Sequence, residues 1–136
     1  MAEENIDYDK IIAAMRGKTV VLLEDNPWAR KNIENIMASW GAITHRVSQR
    51  GKNINLPNEP IHICLADFYS TSCDPVRMAE MLREKNRDVC TIMTYPSDRG
   101  LPIEKPESVS ATIPTYEMGT FRAKELLEIL RPYLCA

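Results

Sequence analysis

The sequence predicts an α/β fold built on a doubly wound, five-stranded parallel sheet. Two short apolar runs, residues 18–23 (KTVVLL) and 61–66 (IHICLA), show little polar alternation, which is typical of strands buried on both sheet faces. Segments with helical spacing of apolar residues lie between such runs. Strands that alternate with helices are joined by right-handed crossovers and therefore run parallel. With 136 residues, the chain has the usual length of one domain.

The chain opens with a predicted short helix. Its apolar face has the i, i+3, i+4, i+7 spacing and consists of Tyr8, Ile11, Ile12 and Met15. Gly17 ends this helix. We therefore divide the chain into a leading helix or linker at residues 1–17 and a domain at residues 18–136.

Three longer helices are predicted from their start signals and apolar stripes. Asn26-Pro27 and Asp74-Pro75 each combine a capping side chain with a proline in the first helical turn. Gly41 ends the first of these helices. The last helix begins near Thr120 and carries a leucine-rich stripe.

The predicted strands are residues 18–23, 42–47, 61–66, 89–94 and 109–113. The connection at residues 48–60 contains two prolines, and the connection at residues 95–108 contains three prolines and one glycine. Because proline interrupts helices, both connections are predicted to be loops where helices would otherwise follow the second and fourth strands. One sheet face would then be covered mainly by loops, and we expect an exposed apolar surface for a protein partner there.

The cysteines and the net charge narrow the classes of function. Four cysteines form no CxxC pair and should be free, mostly buried thiols; they are Cys64, Cys73, Cys90 and Cys135. The two histidines, His45 and His62, lack the spacing of zinc ligands. A formal net charge of −2 argues against a nucleic-acid partner, because binding to phosphates normally requires a basic stripe.

The apolar stretches are too short for a membrane segment, which requires about 20 residues. The amino-terminal sequence MAEENIDYDK is acidic, unlike a signal peptide. We therefore expect a cytoplasmic protein without membrane contact.

Acidic residues follow two of the predicted strands. Glu24 and Asp25 follow the first strand, and Asp67 follows the third. In an open sheet of order 2-1-3-4-5, these two strand ends are neighbours at the point where ligands bind. Three carboxylates at one place repel each other, and a hard divalent cation with oxygen ligands relieves this repulsion. The sequence therefore predicts a weak magnesium site.

The segment LLEDNPWARKNIENIMASWGA resembles the opening of response regulator receiver domains, especially those attached to hybrid sensor histidine kinases. The resemblance covers about residues 18–134 and implies a flavodoxin-like fold. It also implies that Asp67 is the phosphoacceptor and that Thr94 is the hydroxyl residue turned toward the phosphoryl group. Magnesium would be held by Glu24, Asp25, Asp67 and the backbone carbonyl of Tyr69.

The function implied by the resemblance is phosphorelay signalling by a domain that is not itself an enzyme. Asp67 would accept a phosphoryl group from a histidine kinase or a histidine phosphotransfer domain, and the signal would pass on by protein contact, with a homodimer also possible. The leading helix would either pack on its own chain or continue from an upstream kinase module.

The sequence departs from the receiver pattern at one catalytic position. Ile113-Pro114 stands where receivers have Lys-Pro, so the chain looks like a degenerate receiver, and a lysine at position 113 should speed phosphorylation. Lys105-Pro106 precedes the fifth strand and is a poor substitute. Two other functions stay open. The first is a pseudo-receiver that docks or dimerises without phosphorylation. The second is a flavin carrier, which residues 24–27 disfavour because they are acidic and lack glycine.

Overall fold

The computed structural model describes residues 5–116 and 120–135. Its elements, in chain order, are α1 Tyr8–Ala14, β1 Thr19–Leu23, α2 Pro27–Ser39, β2 Ile43–Arg46, β3 Ser48–Arg50, β4 Asn53–Asn55, β5 Ile63–Asp67, α3 Pro75–Lys85, β6 Cys90–Pro96, β7 Ala111–Thr115 and α4 Ala123–Leu134.

Five of the strands form one parallel sheet in the order β2-β1-β5-β6-β7. Counted along the five predicted strands, this is the order 2-1-3-4-5, so the predicted fold class is confirmed. All five residues of the central strand β1 are buried, as its continuous apolar run indicates.

The helix boundaries follow the predicted start and stop signals. The side chain of Asn26 accepts hydrogen bonds from the backbone of Trp28 and Ala29 at the start of α2, and Asp74 caps α3 in the same way. Gly41 has a φ of 79°, a left-handed conformation that glycine adopts without a steric cost, and it follows the end of α2.

The leading helix α1 packs on its own chain, against α4. Ile11 and Met15 are buried, and the hydroxyl of Tyr8 donates a hydrogen bond to Glu128 Oε1 at 2.6 Å. A helix of seven residues is too short to be stable alone. Burial of each of these two apolar side chains contributes about 1.5–3 kcal/mol and stabilises the helix where it lies.

The loop prediction for residues 48–60 is wrong in its first part, where β3 and β4 form an antiparallel hairpin. Gly51 supplies the tight turn with a φ of 58°. The hairpin has no apolar run that reveals it, because Ile54 at its centre is its one buried residue. The prediction that residues 95–108 contain no regular helix is confirmed, although β6 extends into this segment as far as Pro96.

The prediction of an exposed apolar face is also wrong, because both connections cover the sheet. Ile54 of the hairpin belongs to the apolar layer between the sheet and α3. Leu101 packs against Ala79, Met93 and Val109 on the same face. The other face of the sheet is covered by α2 and α4.

The four cysteines have the state that the sequence predicts. Cys64, Cys73 and Cys90 are buried free thiols, and Cys135 is a partly buried one, as expected. Within residues 5–116 and 120–135, no helix combines the length and apolar character needed to span a bilayer.

Candidate functional site

The predicted site residues meet at the carboxyl end of the sheet. Leu23 pairs with Ala66, so Glu24 and Asp67 follow at the same level on the neighbouring strands β1 and β5. Asp67 pairs with Thr94 on β6, and Thr94 pairs with Ile113 on β7. The sheet register therefore brings the predicted acidic, hydroxyl and lysine-replacing positions side by side.

Glu24 is a half-buried carboxyl group. Its Oε1 accepts a hydrogen bond from the backbone N–H of Asn26 at 3.1 Å. Burial raises its pKa to about 7, and the negative charges of Asp67 and Asp25 act in the same direction, whereas the bond from Asn26 acts against them. A large share of Glu24 is therefore protonated near neutral pH.

Asp67 lies at the end of β5, and its carboxyl is partly buried. The backbone N–H of Tyr69 donates to Asp67 Oδ1 at 3.0 Å. Burial raises the pKa of Asp67, and the charge of Asp25 adds to this effect. The bond from Tyr69 and the positive charge of Arg99 lower the pKa in part. Like Glu24, Asp67 lies in surroundings that disfavour its charged form.

The surroundings of Asp25 favour its charged form, because a hydroxyl-rich loop at residues 70–72 surrounds its carboxylate. Its Oδ1 accepts hydrogen bonds from the hydroxyls of Ser70 and Ser72. Its Oδ2 accepts from the backbone N–H of Thr71 at 2.7 Å and of Ser72 at 3.2 Å, and from the hydroxyl of Thr71 at 3.3 Å. Burial alone would raise the pKa of Asp25, but these hydrogen bonds outweigh burial and lower the pKa to about 2.

The sequence analysis did not foresee this hydroxyl-rich loop. The available signal was the tripeptide Ser70-Thr71-Ser72, three hydroxyl residues in a row shortly after the strand that ends at Asp67. Hydroxyl groups and free backbone N–H groups in such a turn are donors for a nearby carboxylate. Because Asp25 follows a strand that lies next to β5, it is close enough to accept these hydrogen bonds.

A second unforeseen contact joins Tyr69 to the connection after β6. The hydroxyl of Tyr69 donates to the backbone carbonyl of Gly100 at 2.9 Å. The guanidinium carbon of Arg99 lies 3.9 Å from the centre of the Tyr69 ring, a cation–π distance. Arg99 thus supplies a positive charge in the neighbourhood of Asp67, and no local sequence pattern indicates this contact.

The predicted magnesium ligands Glu24, Asp25 and Asp67 come together at one end of the sheet, but the carboxylate of Asp25 accepts hydrogen bonds from its own chain. Over the two described ranges, no three side chains of the His, Cys, Asp or Glu type are arranged to hold a metal ion. Both oxygens of Asp25 accept hydrogen bonds from the loop at residues 70–72. The magnesium site, including the carbonyl of Tyr69, stays a prediction of the sequence.

Position 113, where receivers have a lysine, is part of the apolar core. Ile113 is fully buried and belongs to the same apolar layer as Phe121 and Leu126. Thr94 beside it is also buried. Lys105 does not substitute for the missing cation, because its Nζ donates to the carbonyl of Val109, which precedes β7 at the opposite end of the sheet.

We expect Asp25→Ala to lower the free energy of unfolding by about 1 kcal/mol, because an exposed acceptor of several hydrogen bonds is lost. The folded pKa of Asp25 lies below its ordinary value, so its contribution is complete above about pH 4 and disappears as the pH falls through about 2. Denaturant unfolding at pH 7 and at pH 2 measures this difference.

Asp98→Ala is the matched control, because Asp98 is exposed and shows no hydrogen bond within the described part of the chain. Amide hydrogen exchange of residues 70–72 should accelerate in Asp25→Ala and stay unchanged in Asp98→Ala. An Asp25→Ala variant with native stability and slow exchange in the loop would contradict the role of Asp25 in ordering it.

Comparison with known proteins gives a relationship of fold alone. No family model and no curated protein sequence matches this chain. Among solved structures, it is similar to the low-resolution structure of the response regulator StyR, with a TM-score of 0.59 and 14% sequence identity. The match covers 87% of this chain and 59% of StyR, so the chain spans little more than half the length of that protein. The likeness shows a flavodoxin-like fold of the receiver type.

Proposed function

We propose that this chain is a receiver-like signalling domain that acts by protein contact without carrying phosphate on Asp67. The observation that carries the proposal is the occupation of Asp25 by the loop at residues 70–72. Two backbone N–H groups and three hydroxyl groups donate to both carboxylate oxygens, so the negative charge of Asp25 is stabilised by its own chain. A cation at Asp25 would have to displace these donors.

The absence of a lysine at position 113 supports the same proposal. Phosphoryl transfer depends mainly on positioning and on cations that neutralise the phosphoryl oxygens. In the middle of β7, the residue paired with Thr94 is the apolar and buried Ile113. Arg99 is the cation whose charge acts on Asp67, and its guanidinium lies against the ring of Tyr69.

The second candidate function is the phosphoacceptor itself. It is favoured by the register that places Glu24, Asp67 and Thr94 together at the carboxyl end of the sheet. In this case a histidine kinase or histidine phosphotransfer domain would donate the phosphoryl group, and the weak magnesium ion predicted from the sequence would assist.

Either function requires a partner surface, and the acidic end of the sheet offers one. Trp28 lies in the first turn of α2, close to Asp25, and 69% of its surface is exposed. Tryptophan is enriched among the residues that dominate binding energy at protein interfaces. A kinase domain, a phosphotransfer domain or a second copy of the chain that docks here would cover Trp28.

Intact mass after incubation with acetyl phosphate and magnesium tests the proposal. We expect no phosphoryl adduct on the native chain, while an ordinary receiver with its lysine should be modified under the same conditions. An adduct that appears on the native protein and disappears in Asp67→Asn would establish the phosphoacceptor function instead. An adduct that survives Asp67→Asn would lie elsewhere and leave the proposal standing.

Thermal melts with and without millimolar magnesium give an independent measurement for the same proposal. A site half saturated with the ion adds about 0.4 kcal/mol to stability. We expect no shift for the native chain, because its donors already occupy Asp25. A shift that is lost in Asp25→Ala would count against the proposal.

A further inference from the structure

The amino-terminal end of the sheet carries a cleft that the acidic site does not use. It consists of two cavities of about 580 Å³ and about 280 Å³, which share Arg87, Asp88, Val89 and Tyr133 in their walls. The walls come from residues that precede β1, β5, β6 and β7 and from the ends of α3 and α4. We call this region the basic cleft.

The basic cleft concentrates positive charge in a chain whose net charge is −2. Four cationic side chains line it, against the two carboxylates of Asp88 and Glu107; the cations are Lys18, Arg83, Arg87 and Lys105. His62 adds no charge at neutral pH, because burial lowers its pKa and its Nδ1 accepts a hydrogen bond from the backbone of Thr19.

The favourable interaction of a cation with the carboxyl end of a helix accounts for only part of this positive charge. Arg83 lies in the last turn of α3, where a cation favours the helix dipole. Lys18, Arg87 and Lys105 lie outside the helices, so the helix dipole does not account for their positions.

The cations of the basic cleft can still bind an anion. Arg83 donates to the carbonyl of Glu107 at 2.9 Å, and Lys105 donates to the carbonyl of Val109 at 2.7 Å. These acceptors are neutral, so both charges persist, and most of the guanidinium donors of Arg83 remain available. Arg87 makes no hydrogen bond or ion pair with any residue in the described ranges.

Tyr133 supplies an aromatic surface to the cleft. It lines both cavities, and 46% of its surface is exposed. An exposed ring beside several cations suits a ligand that joins a flat aromatic group to an anion. Cavities of this size hold small molecules, since ligand pockets are about 300–1,000 Å³.

We propose that the basic cleft binds a nucleoside phosphate, with Arg87 and its cationic neighbours on the phosphates and Tyr133 stacked on the base. Concave walls and an overall negative charge favour a small ligand over an extended polyanion. This site lies at the opposite end of the sheet from Asp67, and the proposal does not depend on the function proposed for the acidic site.

Calorimetric titration of the full chain at low ionic strength tests this site with ADP, pyrophosphate and adenosine as probes. We expect ADP to bind, pyrophosphate to bind more weakly, and adenosine to give no measurable heat. Arg87→Ala should weaken ADP binding about tenfold, the effect of losing a charge-assisted hydrogen bond. Tyr133→Ala should weaken the binding of ADP and leave that of pyrophosphate unchanged.

Lys31→Ala is the control, because Lys31 is an exposed cation on α2 outside the cleft. Amide chemical shifts recorded with ADP should change near Lys18, Arg87 and Tyr133, which locates the ligand even if a variant folds poorly. The proposal is overturned if ADP gives neither heat nor shift changes, if Arg87→Ala binds like Lys31→Ala, or if pyrophosphate binds as tightly as ADP.

Discussion

Replacing Ile113 with lysine is expected to lower the free energy of unfolding by about 3–5 kcal/mol, the cost of an unpaired charge in an apolar core. Ile113 is fully buried beside Phe121 and Leu126. A buried lysine has a folded pKa below its unfolded value, so the unfolded chain binds more protons between these two values. Stability of the variant should therefore rise as the pH increases toward 10.

Ile113→Met is the matched control, because this change nearly conserves volume and costs less than about 1.5 kcal/mol. Denaturant unfolding of both variants from pH 6 to pH 10 measures the difference between their free energies of unfolding. A lysine variant as stable as the methionine variant would mean that the ammonium reaches the carboxylate of Asp67. In that case the faster phosphorylation expected from the sequence should also appear in the intact mass, and the proposal of an unphosphorylated domain would fail.

Glu24→Gln is expected to stabilise the protein at pH 8 by about 2 kcal/mol, an amount reduced for the solvent that reaches this half-buried group. The folded pKa of Glu24 is about 7, against an ordinary value of 4.5. Between these two values the folded protein holds a proton that the unfolded chain lacks. Native stability therefore falls as the pH rises through this range, and a neutral glutamine avoids the loss.

Denaturant unfolding between pH 4 and pH 8, with a chelator to remove divalent ions, measures the effect of Glu24→Gln. Glu84→Gln on the exposed face of α3 is the control, and its stability should follow that of the native chain. Below about pH 4.5 the Glu24 variant should lose its advantage, because Glu24 is then protonated in both states. A variant that is less stable than the native chain at pH 8 would show that the site requires the negative charge.

Two of the strands could be predicted because each one is a local apolar run. Residues 18–23 and 61–66 have few polar positions, so burial on both faces of the sheet can be inferred without any partner. The hairpin at Ser48–Asn55 could not be found in this way, since its six strand residues include one buried side chain. Its pairing depends on a local turn at Gly51 and on the packing of Ile54, and the second of these is a tertiary effect.

The position of the acidic residues could be predicted, but their electrostatic state could not. A parallel sheet with the strand order that the receiver resemblance implies places Glu24 and Asp67 at neighbouring strand ends. Whether a carboxyl is charged depends on burial and on its hydrogen-bond donors, which come from other parts of the chain. The magnesium site predicted from three repelling carboxylates took no account of donors such as Thr71 N–H.

By itself, the sequence determined the α/β fold class, the helix starts at Asn26 and Asp74, and, with the strand order that the receiver resemblance implies, the meeting of Glu24 with Asp67. Each follows from local periodicity, from capping chemistry, or from the rule that parallel strand ends lie together. Only the tertiary structure decided how the charge of Asp25 is stabilised and where the basic cleft forms. These features join residues that are distant in the chain, such as Asp25 with Ser72 and Lys18 with Arg87, and such contacts exist only after the sheet and helices have packed.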